Sequence, residues 1–321
     1  MGWIGTLIAA FLVSTTWICC AILARSSDAI FLPQAIRFLS AAFVMAGLCS
    51  VAEQRPPGIS VRLLHAAVTV GGLCYFVSPI FMFYGVRVLP SGLGALVYLS
   101  VPLWYLIAAY HGEDLVLADY VMTGVGLVVF CIGVIPDSYV RGAAHLPLLC
   151  LLLGMFAFMI GGWVTRRLFW AHSSLDLAFW SMLFAGITHI LMGIVCGEHH
   201  ELPNWDTAYW GYLLFLGFLV TGLGAFMGHV RRSLPQMIAF TAIPPILAML
   251  WGFALWRETP LNPFTVLGFG LVLYPVLRVL RLVPLSRWMV LTLYNDKRQG
   301  ERLVCQLDAE INSQPARIID I

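Results

Sequence analysis

The chain has 321 residues, 60% of them hydrophobic and only 11% charged, with a formal net charge of +2. Soluble domains carry about 45–50% apolar and about 25% charged residues, so this composition excludes an ordinary water-covered surface. The small net charge gives no footing for a nucleic-acid partner. The charges cluster and leave apolar runs of about 20 residues, the length that crosses a bilayer core of about 30 Å. The chain reads as an all-α polytopic membrane protein.

In chain order, the apolar runs predict ten transmembrane helices, at 3–24, 30–51, 61–86, 91–110, 117–136, 145–166, 175–196, 208–229, 235–256 and 261–283. Between them, "ARSSDAI", "EQRPPGIS", "HGEDLVLAD", "PDSYVRG", "GEHHELPNWD" and "WRETPLNP" concentrate proline, glycine, asparagine and charge, as interspan turns do. No cleavable signal is expected, because Met1-Gly2 supplies almost no charged n-region and the first run is long enough to span. With the N-terminus in the cytoplasm, the loops on that side hold eight arginines ahead of the tail and the opposite loops hold four. The positive-inside rule therefore puts both termini in the cytoplasm. From residue 286 the tail is polar and basic. Its Leu303, Leu307 and Ile311 recur at helical spacing, which suits either an amphipathic surface helix or a solvated tail.

The chain repeats itself. "RVLP" at 87–90 returns as "RSLP" at 232–235, 145 positions later, and Glu113 and Glu258 each follow the phrase's proline by 23 residues. "TGVGLVV" at 123–129 resembles "LGFGLVL" at 267–273 at an offset of 144, and Trp17 pairs with Trp163 at 146. Five spans per half is an odd number, so the second half must sit upside down relative to the first. The expected organisation is a five-helix repeat over 1–140, an inverted five-helix repeat over 141–285 and a polar cytoplasmic tail over 286–321. Inverted repeats of this kind place a substrate site near the midplane at their interface and support alternating access. Within the phrase, arginine can reach helix-end carbonyls or lipid headgroups. Proline opens the next helix, where its missing N–H costs nothing. Glutamate closes that helix about 34 Å later, one membrane crossing.

Ten spans in two inverted halves, a turn proline opening spans four and nine, an internal proline in each (Pro102 and Pro245), a closing glutamate in each and "IRFLSAAFVMAGL" in span two resemble the drug/metabolite transporter superfamily, in particular its EamA-like branch. The resemblance covers residues 3–283. It departs at 256–258, where "WRE" stands in place of the commoner "GE" ending. It implies a secondary transporter of small organic metabolites in a bacterial inner membrane, an exporter working by alternating access. It also implies that spans one, three, four, six, eight and nine surround a central cavity.

No aspartate or glutamate lies deep within an expected span; Asp176 only starts span seven. Arg37 and His189 are the ionisable exceptions, each roughly 10 Å inside a span end at 1.5 Å per residue. A charged arginine at a helix centre costs at least about 2.5–3.5 kcal/mol, so Arg37 should face protein, water or a ligand. It is either a donor between helices or a contact for a substrate anion. His189 is either a neutral core histidine sharing hydrogen bonds or a site residue. Tyr98 and Tyr105 share a face of span four, Tyr75 and Tyr84 lie on span three, and Trp17 and Trp163 on spans one and six. Phe240 and Thr241 on span nine would face them across the cavity that the resemblance implies. All are candidate substrate contacts, although tyrosine and tryptophan also favour membrane interfaces. "GEHHE" at 197–201 has metal-ligand residue types but reads as a solvated polar turn. The eight cysteines form no C-x-x-C pair and read as small buried hydrophobes. No cofactor or metal is expected.

A single cation among aromatic side chains suits a carboxylate on an apolar body, so amino acids or similar amphipathic solutes rank first. Carriage of nucleotide-sugar, sugar-phosphate or lipid-linked substrates, also known in the superfamily, ranks second, since one buried arginine is little for a polyanion. A membrane-embedded enzyme is a distant third. "GEDLVLAD" lacks the D-D-x-x-D spacing, and neither H-E-x-x-H nor G-x-S-x-G occurs. A channel would need a filter-like loop, which these short turns do not offer. The expected partners are a small-molecule substrate, the lipid bilayer and, at most, a second copy forming a homodimer.

Overall fold

Long apolar segments have one economical way to satisfy their own backbone in a membrane, the α-helix. The computed structural model describes residues 3–98, 121, 122, 124–130, 132, 133, 145–168, 174–224, 226, 243–252, 254 and 263–279. Helix α1 is Trp3–Ser26 and α2 is Phe31–Ala52. Helix α3, Val61–Val70, runs through a π-helical segment, Gly71–Val77, into α4, Ser78–Val88. Helices α5, His145–Leu168, and α6, Ser174–Val195, follow. Helix α7, Thr207–Leu214, continues into a second π-helical segment, Phe215–Leu223, and α8 is Pro263–Val279. Residues 91–98 and the described parts of 121–133 and 243–254 are also helical. Each of these helices falls on an expected span. Among the described residues, five stretches are long and apolar enough to cross a membrane: Gly5–Ser26, Phe31–Ala52, Val61–Val88, His145–Val164 and Leu175–Val195.

The N-caps show why the helices start where they do. Ser60 accepts the Leu63 N–H at 3.1 Å to open α3, and Asp206 accepts the Tyr209 N–H at 2.7 Å to open α7. These caps are 146 positions apart. The first "RVLP" turn behaves as its chemistry suggests. Arg87 donates to the carbonyls of Ala24 (2.7 Å), Ser27 (2.8 Å) and Asp28 (3.1 Å) at the end of α1. Arg25 returns the tie by donating to Leu89 O at 3.0 Å. Pro90 opens the helix over 91–98, its carbonyl accepting from Leu93 N at 3.0 Å. The second copy of the phrase, together with Glu113 and Glu258, lies outside the described residues.

The tightest seam joins α2 to α6. Phe38, Ala41, Ala42, Met45 and Cys49 interleave with Leu175, Ala178, Met182 and Ala185, all buried. Small residues permit the approach. A Cβ on Gly186 would lie 2.7 Å from the Leu39 side chain, and one on Gly193 would lie 2.8 Å from Leu32. Residues 1–276 pack as one compact unit; the chain from Leu277 is a second.

Polar ties hold both ends of this seam. At the end where α6 begins, Asp176 accepts two hydrogen bonds from Arg55 (3.2 and 2.8 Å) and one from Gly58 N (3.0 Å). Trp180 Nε1 adds a bond to Gly58 O at 2.7 Å, and Glu53 pairs with Arg55. At the other end, Glu198 accepts the backbone N–H groups of Ile30 (2.8 Å), Phe31 (3.1 Å) and Leu32 (2.8 Å), capping α2 with a full negative charge. The 197–201 run is thus more than a solvated turn. Glu198 closes a helix start and Glu201 accepts from Ser27 Oγ at 3.4 Å, while the rings of His199 and His200 meet at the surface, tilted by 42°.

Candidate substrate-binding site

The two π segments are the local irregularity around which the buried polar groups gather. They begin at Gly71 and Phe215, 144 positions apart. Each is seated against the neighbouring seam helix by a glycine. A Cβ on Gly71 would lie 2.6 Å from the Ser181 carbonyl oxygen on α6, and one on Gly217 would lie 3.1 Å from the Arg37 carbonyl oxygen on α2. Ser181 and Arg37 are themselves 144 positions apart. At such contacts only hydrogen fits.

From those seats, one polar side chain of each seam helix reaches into the facing π segment. Arg37 leaves α2 with 8% of its surface exposed and donates Nε–H to Thr221 Oγ1 at 2.8 Å. Its Nη1 reaches Gln34 Oε1 at 3.3 Å and Cys20 Sγ at 3.6 Å, and its guanidinium carbon lies 5.1 Å from the Phe38 ring centroid. No described carboxylate lies within ion-pair distance of it. On α6, fully buried His189 places Nε2 3.0 Å from the carbonyl oxygen of Tyr75. A carbonyl only accepts, so Nε2 carries the proton and Nδ1, which has no partner, presents its lone pair. Tyr75 lies in the first π segment, and residue 79, the α-helical donor position for its carbonyl, is a proline with no N–H to give. Phe38 stacks on the imidazole at 5.8 Å with an interplanar angle of 11°, and Phe76 and Phe31 approach it at 4.7 and 6.1 Å.

A second group forms around Trp17. Its ring meets Tyr98 edge-on at 4.9 Å and lies against Gly94, where a Cβ would come within 2.7 Å. Tyr98 Oη shares a 2.8 Å hydrogen bond with buried Ser78 Oγ and packs over Phe158. An open cleft of about 650 Å³ lies between α1, α7 with the first residue of the second π segment, and Trp251. It is lined by Phe11, Thr15, Ile18 and Cys19 on one wall and by Ala208, Gly211, Tyr212 and Phe215 on another. Trp251 sits edge-on to Phe11 at 5.7 Å and donates to Ser14 Oγ at 3.3 Å. Cys19 faces this cleft, and its neighbour Cys20 receives Arg37.

Among the sequence candidates, then, Arg37, His189 and Tyr75 gather around Phe38, and Trp17 pairs with Tyr98. Tyr84 and Trp163 are 47% and 40% exposed and belong to neither group. Tyr105, Phe240 and Thr241 lie outside the described residues. Sequence reading missed Gln34, Thr221 and the cleft-lining Phe11, Phe215 and Trp251. Gln34 and Thr221 were detectable as polar residues inside apolar runs. The aromatic residues carry no such mark, because an apolar residue on an apolar helix looks the same facing lipid, core or cavity.

Comparison with known proteins gives three findings. Residues 145–280 match the model of the EamA-like transporter family. A solved structure titled only "Crystal structure of protein" resembles this one at a TM-score of 0.56 and 17% identity, over 85% of this chain and 95% of that chain, which shows a shared fold. No curated protein matches. Residues 145–280, the second half of the chain ahead of its tail, are accordingly similar to the EamA-like transporter family.

Proposed function

We propose that this chain is a ten-span secondary transporter built from two inverted five-helix repeats. It exports small organic metabolites, foremost amino acids or similar amphipathic solutes, from a bacterial cytoplasm by alternating access, with both termini on the cytoplasmic side. The observation that carries the reading is that helix contacts come in exchanged pairs. Helix α1 packs on the 207–223 stretch as α5 packs on the 71–88 stretch. Helix α2 packs on the second π segment as α6 packs on the first, and α2 packs on α6 itself. Exchanging the halves maps these pairs onto one another. The glycine seats at 71 and 217 and the caps at 60 and 206 obey the same exchange. So does the crossing of the two last helices of the halves, where a Cβ on Gly126 would lie 2.9 Å from Gly268 O.

Such an arrangement suits rocking of one half against the other about a buried polar centre. The π segments supply points where a helix can change pitch without breaking. Arg37, a buried cation without a described counter-ion, supports an anionic group on the solute.

Counterflow in proteoliposomes tests the function. Vesicles loaded with unlabelled L-leucine or another amino acid should accumulate the labelled form from outside, chemically unchanged. Absence of counterflow across an amino-acid and organic-acid panel rejects the transporter reading; recovery of altered solute makes the protein an enzyme.

A further inference from the structure

Two neighbouring side chains on α2 end in donors that no described residue accepts. Gln34 is fully buried, and its Oε1 receives the Arg37 Nη1 hydrogen at 3.3 Å. A guanidinium only donates, so this bond fixes which way the amide points. Gln34 Nε2, with two hydrogens, is left without a partner. Arg37 engages Thr221 through Nε and Gln34 and Cys20 through Nη1. Its Nη2 makes no hydrogen bond to a described residue, and its charge meets no described carboxylate. A buried unpaired donor is unfavourable and a buried unpaired charge more so. Residues three apart lie on one helix face, so both deficits occur at one place.

We propose that Gln34 Nε2 and Arg37 Nη2 form a two-donor seat for the carboxylate of the transported solute. The proposal rests on the transporter reading above and adds the chemistry of the ligand. A carboxylate brings one charge and two oxygens, which one guanidinium and one amide can answer. A phosphate dianion would bring a second charge with no described cation to meet it.

Thermal melting and calorimetric binding on the purified full-length chain in nanodiscs test the seat with matched pairs. The pairs are L-leucine and L-leucinamide, 4-methylpentanoate and 4-methylpentanamide, and 3-phenylpropanoate and 3-phenylpropanamide, with chloride as a bare anion. At least one acid should bind and raise the melting temperature while its amide does not. Gln34→Leu should weaken that binding by about tenfold or more, the loss of a hydrogen bond to a charged group. Gln34→Glu should fill the seat with its own carboxylate, abolish acid binding and raise the melting temperature of the empty protein. Equal binding of acid and amide, chloride acting as well as the acids, wild-type affinity in Gln34→Leu, or no binding by any acid overturns the proposal. If Gln34→Leu does not fold, the acid–amide comparison and Gln34→Glu decide. Counterflow separates the two readings. Acid binding without solute crossing the vesicle removes the transporter and leaves the seat; crossing without acid–amide discrimination does the reverse.

Discussion

His189 Nε2 lies 3.0 Å from the carbonyl oxygen of Tyr75, an acceptor whose α-helical donor position is occupied by Pro79. The histidine therefore replaces a backbone N–H that the sequence of its neighbour helix withholds. His189→Leu should strand that carbonyl in the core and lower stability by about 1–3 kcal/mol. His189→Gln keeps a donor and should melt close to wild type. It should also transport with the wild-type pH profile, since the imidazole acts here as a hydrogen-bond donor. A flattened profile in His189→Gln would instead identify a proton carrier.

Coupling follows from the same region. Among the described residues, no aspartate or glutamate lies beyond the first turn of an apolar helix, where Asp176 sits. Proton-coupled carriers commonly place a carboxylate inside the membrane. Proteoliposomes given a solute gradient, with pH and voltage equal across the bilayer, should therefore show net flux. Flux that appears only on imposing a proton gradient contradicts this expectation.

The glycine seats make a contrast within one pair of neighbours. Gly71→Ala would push a methyl group to 2.6 Å from Ser181 O and should destabilise by about 1–3 kcal/mol, by overpacking a helix contact. Gly72→Ala meets nothing within 4 Å and should change stability by no more than about 0.5 kcal/mol. Melting of the two variants in one detergent compares them directly, and equal losses would show that the seat is not what Gly71 provides.

Glu198 makes a local prediction. Glu198→Ala removes the acceptor for three N–H groups at the start of α2 and should cost about 1–2 kcal/mol, the range of a lost helix cap with its charge. Hydrogen exchange should quicken at residues 30–32 and stay unchanged along the rest of α2. Exchange that rises evenly through the helix would mean the loop supports the whole seam rather than its end.

The described helices were legible because membrane spans announce themselves by length and apolarity, and the Arg87–Pro90 turn because proline and arginine each permit little else there. Arg37 and His189 were legible as ionisable groups in apolar surroundings. What they touch was not. The donor to Tyr75 O is set by Pro79 on one helix and His189 on another, 110 positions apart, and no periodicity links them. Glu198 looked like one more polar turn residue because its three partners are backbone groups, which sequence does not display. The cleft aromatics were hidden for the opposite reason, since apolar side chains suit lipid and cavity alike. Gln34 was passed over as a neutral residue beside a charged one, although its bond to Arg37 is what leaves a second donor unmatched.

The π segment between α3 and α4 also bears on how this span came to have its length. A π turn accommodates one residue more than an α turn over the same path. Deleting one residue from Gly71–Val77 should thus turn the bulge into plain α-helix and leave the side chains beyond it aimed as before, Arg87 at the end of α1 and Ser78 at Tyr98. The same deletion inside α4 would have no bulge to absorb it and would swing the rest of that helix by about 100°. The bulge has the signature of a single-residue insertion absorbed in place, a spare residue that the span can lose without losing its aim.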